Sequence, residues 1–468
     1  MKKTTLLYTR TNCYDQWNDR KIKDAFSFAE SYKQFLSQGK TERLVVEEGI
    51  QLLQQAGFIP LSRIIDRPVK AGQKLYEVNH HKSLVAVVVG KRPLQEGMNM
   101  ILTHIDSPRI DLKVNPLYED SQIALLKTQY YGGIKKYQWP TIPLELHGVV
   151  TLQNGKTIRV NIGDNKDDPI FVITDLLPHA AGKQMERKAS EIVQGEELNI
   201  MVGSIPVKNK KGKERVKQAI VEHLYKKYGM IEEDFVSAEI EAVPAFEVRD
   251  LGFDRSFIGG YGHDDRSSSY AALRALLDIK GIPERTTLLF WSDKEEVGSY
   301  GATGAQSNFL YHVIGNVLRL FDPAALDTTT RDLLSSSYAL SGDVDAAFDP
   351  DYKDVHDERN TAQLNHGVTI TKYTGVRGKY GANDADAEYV GKVRKLFHEN
   401  GIVWQTGLIS KVDVGGGGTI ALYLAALGIH IVDCGPAVLS MHSPFEVISK
   451  ADLFATYEAY QVFFEKMK

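Results

Sequence analysis

Five short segments of this 468-residue chain carry side chains of the kind that hold metal ions and move protons. They are His104 and Asp106 in Thr103-His104-Ile105-Asp106-Ser107-Pro108; Asp264 and Asp265 in Gly262-His263-Asp264-Asp265-Arg266; Glu295 and Glu296 in Asp293-Lys294-Glu295-Glu296-Val297-Gly298; Asp343 in Ser341-Gly342-Asp343; and His442 in Met441-His442-Ser443-Pro444. Two histidines with several carboxylates suit zinc, manganese or cobalt. An Asp has two oxygens and so can bridge two ions. In a His-x-Asp pair the carboxylate often takes the ring nitrogen that faces away from the metal, which fixes the tautomer. At an extended strand end, adjacent side chains face opposite directions. One of Glu295 and Glu296 then binds metal while the other is turned toward the water to be activated. A ligand and a general base side by side are what metal-assisted hydrolysis needs. Taken singly, each segment has a plainer reading: a structural His, a helix N-cap at Asp264-Asp265, a solvated Glu-Glu face. The argument rests on all five occurring in one chain.

Such groups converge only if the chain brings them to one edge of a sheet, and in α/β sheets that edge lies beyond the carboxyl ends of the strands. The spacing predicts helices over 15–38 and 41–56, the second stopped by Gly57. Strands follow over 84–89 and 98–103, with His104 at the carboxyl end of the latter. From about 109 to 245 short apolar stretches alternate with turn signals, among them Asn154-Gly155, a hairpin signature, with one helix over 216–228. The α/β rhythm then returns: helices over 267–279, 308–321, 382–400 and 450–468, and strands over 286–291, 334–340, 402–410 and 429–433. Strands alternating with helices imply a largely parallel or mixed sheet flanked by helices. The organisation is one α/β domain, 1–108 and 248–468, interrupted by a β-rich insertion, 109–247.

Composition narrows the function class. Lys+Arg is 56 against 60 for Asp+Glu, a net charge of −4, so global basicity offers no case for nucleic acid. The basic run Lys208, Lys210, Lys211, Lys213, Arg215, Lys217 reads as a solvated loop or helix start. The stretch Met1 to Arg10 has too short an apolar part for an export signal, and the longest clean apolar run, Leu84 to Val89, is far short of a membrane span. Cys13 and Cys434, the only cysteines, give no disulfide framework and no Cys-type zinc motif. These features point to a cytoplasmic protein.

The ordered set His104-Ile105-Asp106-Ser107-Pro108, His263-Asp264-Asp265, Glu295-Glu296-Val297-Gly298-Ser299, Ser341-Gly342-Asp343 and Met441-His442-Ser443, with Gly417-Gly418-Thr419-Ile420, resembles the aspartyl aminopeptidase and vacuolar aminopeptidase I family of dinuclear zinc metallopeptidases. The resemblance runs through nearly the whole chain. It implies two zinc ions per subunit, with cobalt or manganese as substitutes. Asp264 would bridge them, His104 and Asp343 would complete one site, and Glu296 and His442 the other. Glu295 would be the general base and Asp106 would orient His104. It further implies a cis peptide at Asp264–Asp265, an insertion that serves dimerisation, assembly into a tetrahedral dodecamer, and short peptides as substrates. Arg377 or Lys379, in Thr374-Gly375-Val376-Arg377-Gly378-Lys379-Tyr380, would read an acidic side chain, and His179 of the insertion would reach a neighbouring subunit's site. Gly417, in the run Gly415 to Gly418, lacks the Lys-Ser/Thr of a phosphate-binding loop and suits close approach to a peptide backbone. Two positions depart from the family pattern: Asp265 stands where many relatives have Asn, and Ala346 where many have His. Both put strict aspartyl specificity in question. The competing enzyme reading is a zinc-dependent deacylase or carboxypeptidase on a related scaffold.

Overall fold

Ser83–Val88 and Asn99–His104 carry apolar side chains on both faces, and in the computed structural model, which describes residues 6–64, 69–208 and 212–468, both form strands buried along their whole length. Residues 1–5 of the N-terminal stretch and Lys210 and Lys211 of the basic run lie outside the described residues. The chain divides into two compact units. The first comprises Met1–Asp106, Val248–Met441 and Glu446–Lys468; the second comprises Ser107–Glu247 and His442–Phe445.

The first unit is built on a nine-stranded sheet. Its strands in chain order are β1 (Ile59–Pro60), β2 (Lys74–Asn79), β3 (Ser83–Val88), β4 (Asn99–His104), β5 (Thr287–Ser292), β6 (Tyr338–Gly342), β7 (Val368–Thr371), β8 (Trp404–Thr406) and β9 (His430–Gly435). The spatial order is β1-β2-β3-β5-β4-β6-β9-β7-β8. The sheet is mixed: β5, β4, β6 and β9 run parallel, whereas β2–β3, β3–β5 and β9–β7 are antiparallel pairs. Alternate residues feed two separate cores. Leu84, Ala86, Leu289 and Trp291 join Tyr32, Phe35 and Phe463 on one face. Val85, Val87, Leu288 and Phe290 join Leu310, Val313 and Val317 of the helix Phe309–Phe321 on the other. Burial on both faces is why these strands read as continuous apolar runs. A five-stranded sheet completes the unit, in the order Arg249–Leu251, Phe257–Gly260, Glu446–Ser449, Ala437–Leu439, Asp345–Ala346.

Register is what matters for function. His104 pairs with Ser292, and Thr103 with Gly342, so the parallel strands β4, β5 and β6 end level with one another. Three of the five candidate segments therefore leave the sheet at one edge.

Some elements differ from the sequence expectation. Residues 334–340 were expected as one strand; instead a helix, Asp327–Ser335, buries Leu333 and Leu334 before β6 begins at Tyr338. The strand expected over 402–410 is confined to Trp404–Thr406. The helix expected from 382 begins at Ala387, where the Asp386 side chain accepts the Tyr389 N–H.

The second unit is a seven-stranded antiparallel sheet in the order Thr157–Ile162, Leu144–Thr151, Ala238–Pro244, Arg109–Asp120, Ile123–Tyr131, Ile200–Gly203, Val172–Ile173. Asn154-Gly155 forms the expected hairpin turn, with Gly155 at φ +81°. The helix Arg215–Tyr228 ends at Gly229 in the left-handed conformation. Among the described residues no helix is long and apolar enough to cross a membrane.

Candidate metal centre

His104 ends β4 fully buried, and its ring is held on both sides. Nδ1 lies 3.0 Å from the Asp106 carbonyl oxygen and 3.4 Å from its carboxylate. Nε2 points into the site, 3.1 Å from Asp264 Oδ1 and 3.6 Å from Asp343 Oδ1. Burial pushes the imidazole pKa down, but the carboxylates of Asp106, Asp264 and Asp343 outweigh that and hold it well above the ordinary value. The strand end is pinned to the helix His263–Leu277, since the Ser269 hydroxyl donates to the His104 carbonyl at 2.7 Å and also meets Thr103 Oγ1 at 2.7 Å.

Asp264 sits where that helix begins, but with extended backbone angles (φ −79°, ψ 111°), and the Asp264–Asp265 peptide is cis. Its N–H donates to Glu446 Oε2 at 3.1 Å, and the neighbouring His263 is held by the Tyr32 hydroxyl at 2.7 Å. Burial lowers the His263 pKa to about 3, so that ring is neutral. Asp343 follows β6 directly. Gly342 is required before it, because a Cβ there would stand 2.5 Å from Tyr460 Oη and 2.8 Å from Thr103 Cγ2.

Glu295 and Glu296 do not extend a strand. They form a one-turn 3₁₀ segment, Glu295–Val297, entered through Lys294 at φ +66°. Successive side chains in such a turn diverge by roughly a third of a revolution, so the two carboxylates separate for a different reason from the one expected. The turn is clamped by Asp106: Oδ1 accepts the Glu295 N–H at 3.1 Å and Oδ2 the Glu296 N–H at 3.2 Å. One side chain thus holds both the His104 ring and the turn that carries both glutamates. Burial, and then the charges of Asp343, Asp106 and Asp264 against the opposing pull of His104, push the Glu295 pKa up to about 8. Burial likewise raises Asp343 and Asp265.

Ligand atoms of His104, Asp264 and Asp343 all lie within 4.8 Å of one another, as do those of His104, Glu295 and Glu296. The donor set is imidazole nitrogen and carboxylate oxygen converging in a buried space, which fits a small divalent ion of the zinc type. His442, in the segment assigned to the second unit, has φ +65°, and its Nδ1 is 2.9 Å from the Gly133 carbonyl oxygen.

The remaining predicted residues sit on turns and loops. Lys379 is spoken for: its Nζ is 2.8 Å from Asp384 and 4.0 Å from the Tyr373 ring. Arg377, at φ +50°, has a guanidinium with no ion pair or hydrogen bond among the described residues. The Gly417 carbonyl accepts the Gly375 N–H, and a Cβ on Gly416 would lie 2.1 Å from the Gly375 carbonyl oxygen. The close approach made by these glycines is therefore to the loop that carries Arg377. His179 lies exposed on the turn Pro178–Ala180 of the second unit. In the described part of the basic run, Arg215 donates to the Val207 carbonyl and Lys217 pairs with Glu232. Sequence reasoning missed Glu446, Ser269 and the second task of Asp106; Glu446 and Ser269 belong to no motif of metal-ligand type, and the second task of Asp106 is a contact across 189 positions.

A family model described as "Aminopeptidase I zinc metalloprotease (M18)" matches residues 35–464. A probable M18 family aminopeptidase 1 of Clostridium acetobutylicum is 45% identical over 463 residues, covering 98% of each chain. The crystal structure of an M18 family aminopeptidase from Thermotoga maritima superposes with a TM-score of 0.94 at 46% identity, covering 98% of this chain and 100% of that one. The fold extends to the S. cerevisiae mApe1 dodecamer, at 21% identity and a TM-score of 0.75 over 94% of this chain and 96% of that one.

Proposed function

The chain belongs to the M18 family of zinc metallo-aminopeptidases, and from that premise we propose that it removes the N-terminal residue, acidic or neutral, from short peptides at a two-zinc centre. The observation that carries this is the convergence of His104, Asp264, Asp343, Glu295 and Glu296 at the level ends of β4, β5 and β6. His104 and Asp343 would hold one ion, Glu296 and His442 the other, with Asp264 between them; cobalt or manganese would fit the same donors. When bound, the ions supply Lewis acidity toward water and the scissile carbonyl. Glu295 takes the proton of the attacking water and returns it to the departing amine. Asp106 keeps Glu295 in place through its N–H and keeps the His104 ring turned so that Nε2 faces the site. Excess carboxylate in the site also suits the free amine of a peptide N-terminus.

Arg377 is the better placed of the two cations to meet an acidic side chain, because Lys379 is already neutralised by Asp384. The second unit would serve dimerisation, with its His179 available to a neighbouring subunit. Assembly into a homo-oligomer, as in the dodecameric neighbour, would extend to the tetrahedral dodecamer. Two free, buried cysteines suit the cytoplasm. The test is a panel of aminoacyl substrates, acidic and neutral, each free and N-acetylated, with zinc, cobalt or manganese added. Cleavage confined to free amines supports the reading. Cleavage of the acetylated series points to a deacylase or carboxypeptidase and overturns it.

A further inference from the structure

A second group of ligand-type side chains lies wholly within the second unit. His147, on the strand Leu144–Thr151, is completely buried, and among the described residues neither ring nitrogen has a hydrogen-bond partner. Glu145, two residues earlier on the same face of the strand, is also buried. Asp164 arrives from the end of the neighbouring strand, Thr157–Ile162. His147 Nε2 is 3.2 Å from Glu145 Oε1 and 3.5 Å from Asp164 Oδ1, and ligand atoms of all three lie within 4.8 Å of one another.

We propose that Glu145, His147 and Asp164 form a separate binding site for one divalent transition-metal ion of the zinc type. Two observations support it besides the residue types. Ligands held at about 2.0–2.1 Å around a tetrahedral ion stand roughly 3.3–3.5 Å apart, and the two separations at His147 bracket that span. The same pattern recurs at His104, whose Nε2 stands 3.1 and 3.6 Å from two carboxylate oxygens. The backbone is also shaped for the approach: Gly163 has φ +116°, and a Cβ there would stand 2.5 Å from Glu145 Cβ, so only glycine lets Asp164 come this close to Glu145. The Asp164 side chain is 42% exposed, which gives the ion an entry path and leaves its fourth position to water. The ion would tie the strand that carries His147 to the turn after its neighbour.

The test is equilibrium dialysis of the full chain against zinc, followed by metal analysis, on wild type, Asp164→Asn, His147→Gln and Asp264→Asn. Asp164 is exposed, so its variant keeps the fold even where the buried His147→Gln does not. The expected result is one zinc ion fewer per chain in Asp164→Asn and His147→Gln, with peptidase activity unchanged in Asp164→Asn. Asp264→Asn should lose zinc from the candidate peptidase centre yet keep this ion. Full zinc content in Asp164→Asn overturns the proposal, whatever His147→Gln shows. So does the absence of any zinc remaining in Asp264→Asn, in which case His147 is a plain ion-pair partner of the two carboxylates.

Discussion

Asp106→Asn tests how the candidate centre is held together. The carboxylate accepts two backbone N–H groups, from Glu295 at 3.1 Å and Glu296 at 3.2 Å, and stands 3.4 Å from His104 Nδ1. Asn keeps the shape but offers one oxygen and one NH₂. Whichever way it turns, one amide of the glutamate turn faces a donor. A hydrogen bond to a charged group is worth about 1.5–3 kcal/mol, and a buried donor left unpaired adds a penalty of similar size. The Val297 and Ser299 N–H groups of this single turn bond the Lys294 carbonyl, whereas those of Glu295 and Glu296 go to Asp106. Supports of this kind typically change metal affinity or activity by about 10–100-fold, which corresponds to roughly 1.4–2.7 kcal/mol. The first sum, about 3–6 kcal/mol, is the upper bound on the loss. Asp106→Asn should therefore lower kcat/KM by about 10–100-fold and make zinc easier to strip. Steady-state kinetics and a chelator titration measure both. If the variant holds zinc and turns over like wild type, the carboxylate does not position the glutamates and the reasoning fails.

Three further outcomes follow from other contacts. Glu295→Gln should lose about 10²–10⁴ in kcat with metal content unchanged, as kinetics and metal analysis on one sample would show. Gly342→Ala should destabilise the fold by about 1–3 kcal/mol in denaturant unfolding, because the new methyl meets Tyr460 Oη and Thr103 Cγ2. Asp250 stands between Lys33 at 2.7 Å and the fully buried Lys450 at 2.9 Å. Burial pushes its pKa up, but those two lysines hold it below the ordinary carboxylate value. Its contribution is thus present above the unfolded-state value of about 3.9 and disappears as pH falls through the lower folded value. Asp250→Ala, which leaves the buried Lys450 only the exposed Glu30 at 3.9 Å, should cost about 3–5 kcal/mol at neutral pH.

How much of this was legible in the sequence depended on burial. β3, β4 and β5 are covered on both faces, so each is a continuous apolar run. β2, Lys-Leu-Tyr-Glu-Val-Asn, lies partly open near the sheet margin and carries too weak a pattern to be read. The helix Asp327–Ser335 was missed because three threonines open it and only its last turn is apolar. The chemistry of the candidate site was visible in residue types at strand ends; its directions were not. Nothing in Glu295-Glu296 announces a 3₁₀ turn, since that turn exists through Lys294 at positive φ and through a carboxylate 189 positions away in sequence. The same holds for the segment His442–Phe445, which stands between strands of the first unit in sequence but belongs to the second. Long-range contacts leave no local trace.

The acidity of the candidate centre sets a last expectation. Asp106, Asp264, Asp265, Glu295, Glu296 and Asp343 crowd around one buried imidazole. Buried like charges cannot all stay ionised, so without cations such a cluster takes up protons. The directions agree: burial raises Glu295 to about 8 and also raises Asp343 and Asp265, while the surrounding carboxylates hold His104 protonated. A ligand must give up its proton to bind metal. Loading zinc into chelator-treated protein near neutral pH should therefore release protons into weakly buffered solution, and zinc affinity should fall as pH is lowered. Glu295→Gln separates the contributions: removing this carboxyl should reduce the proton release, while His104 and the other carboxyls keep their own. A pH-independent zinc affinity, or loading without proton release, would mean that the cluster is already ionised, and that hydrogen bonds rather than metal ions balance its charge.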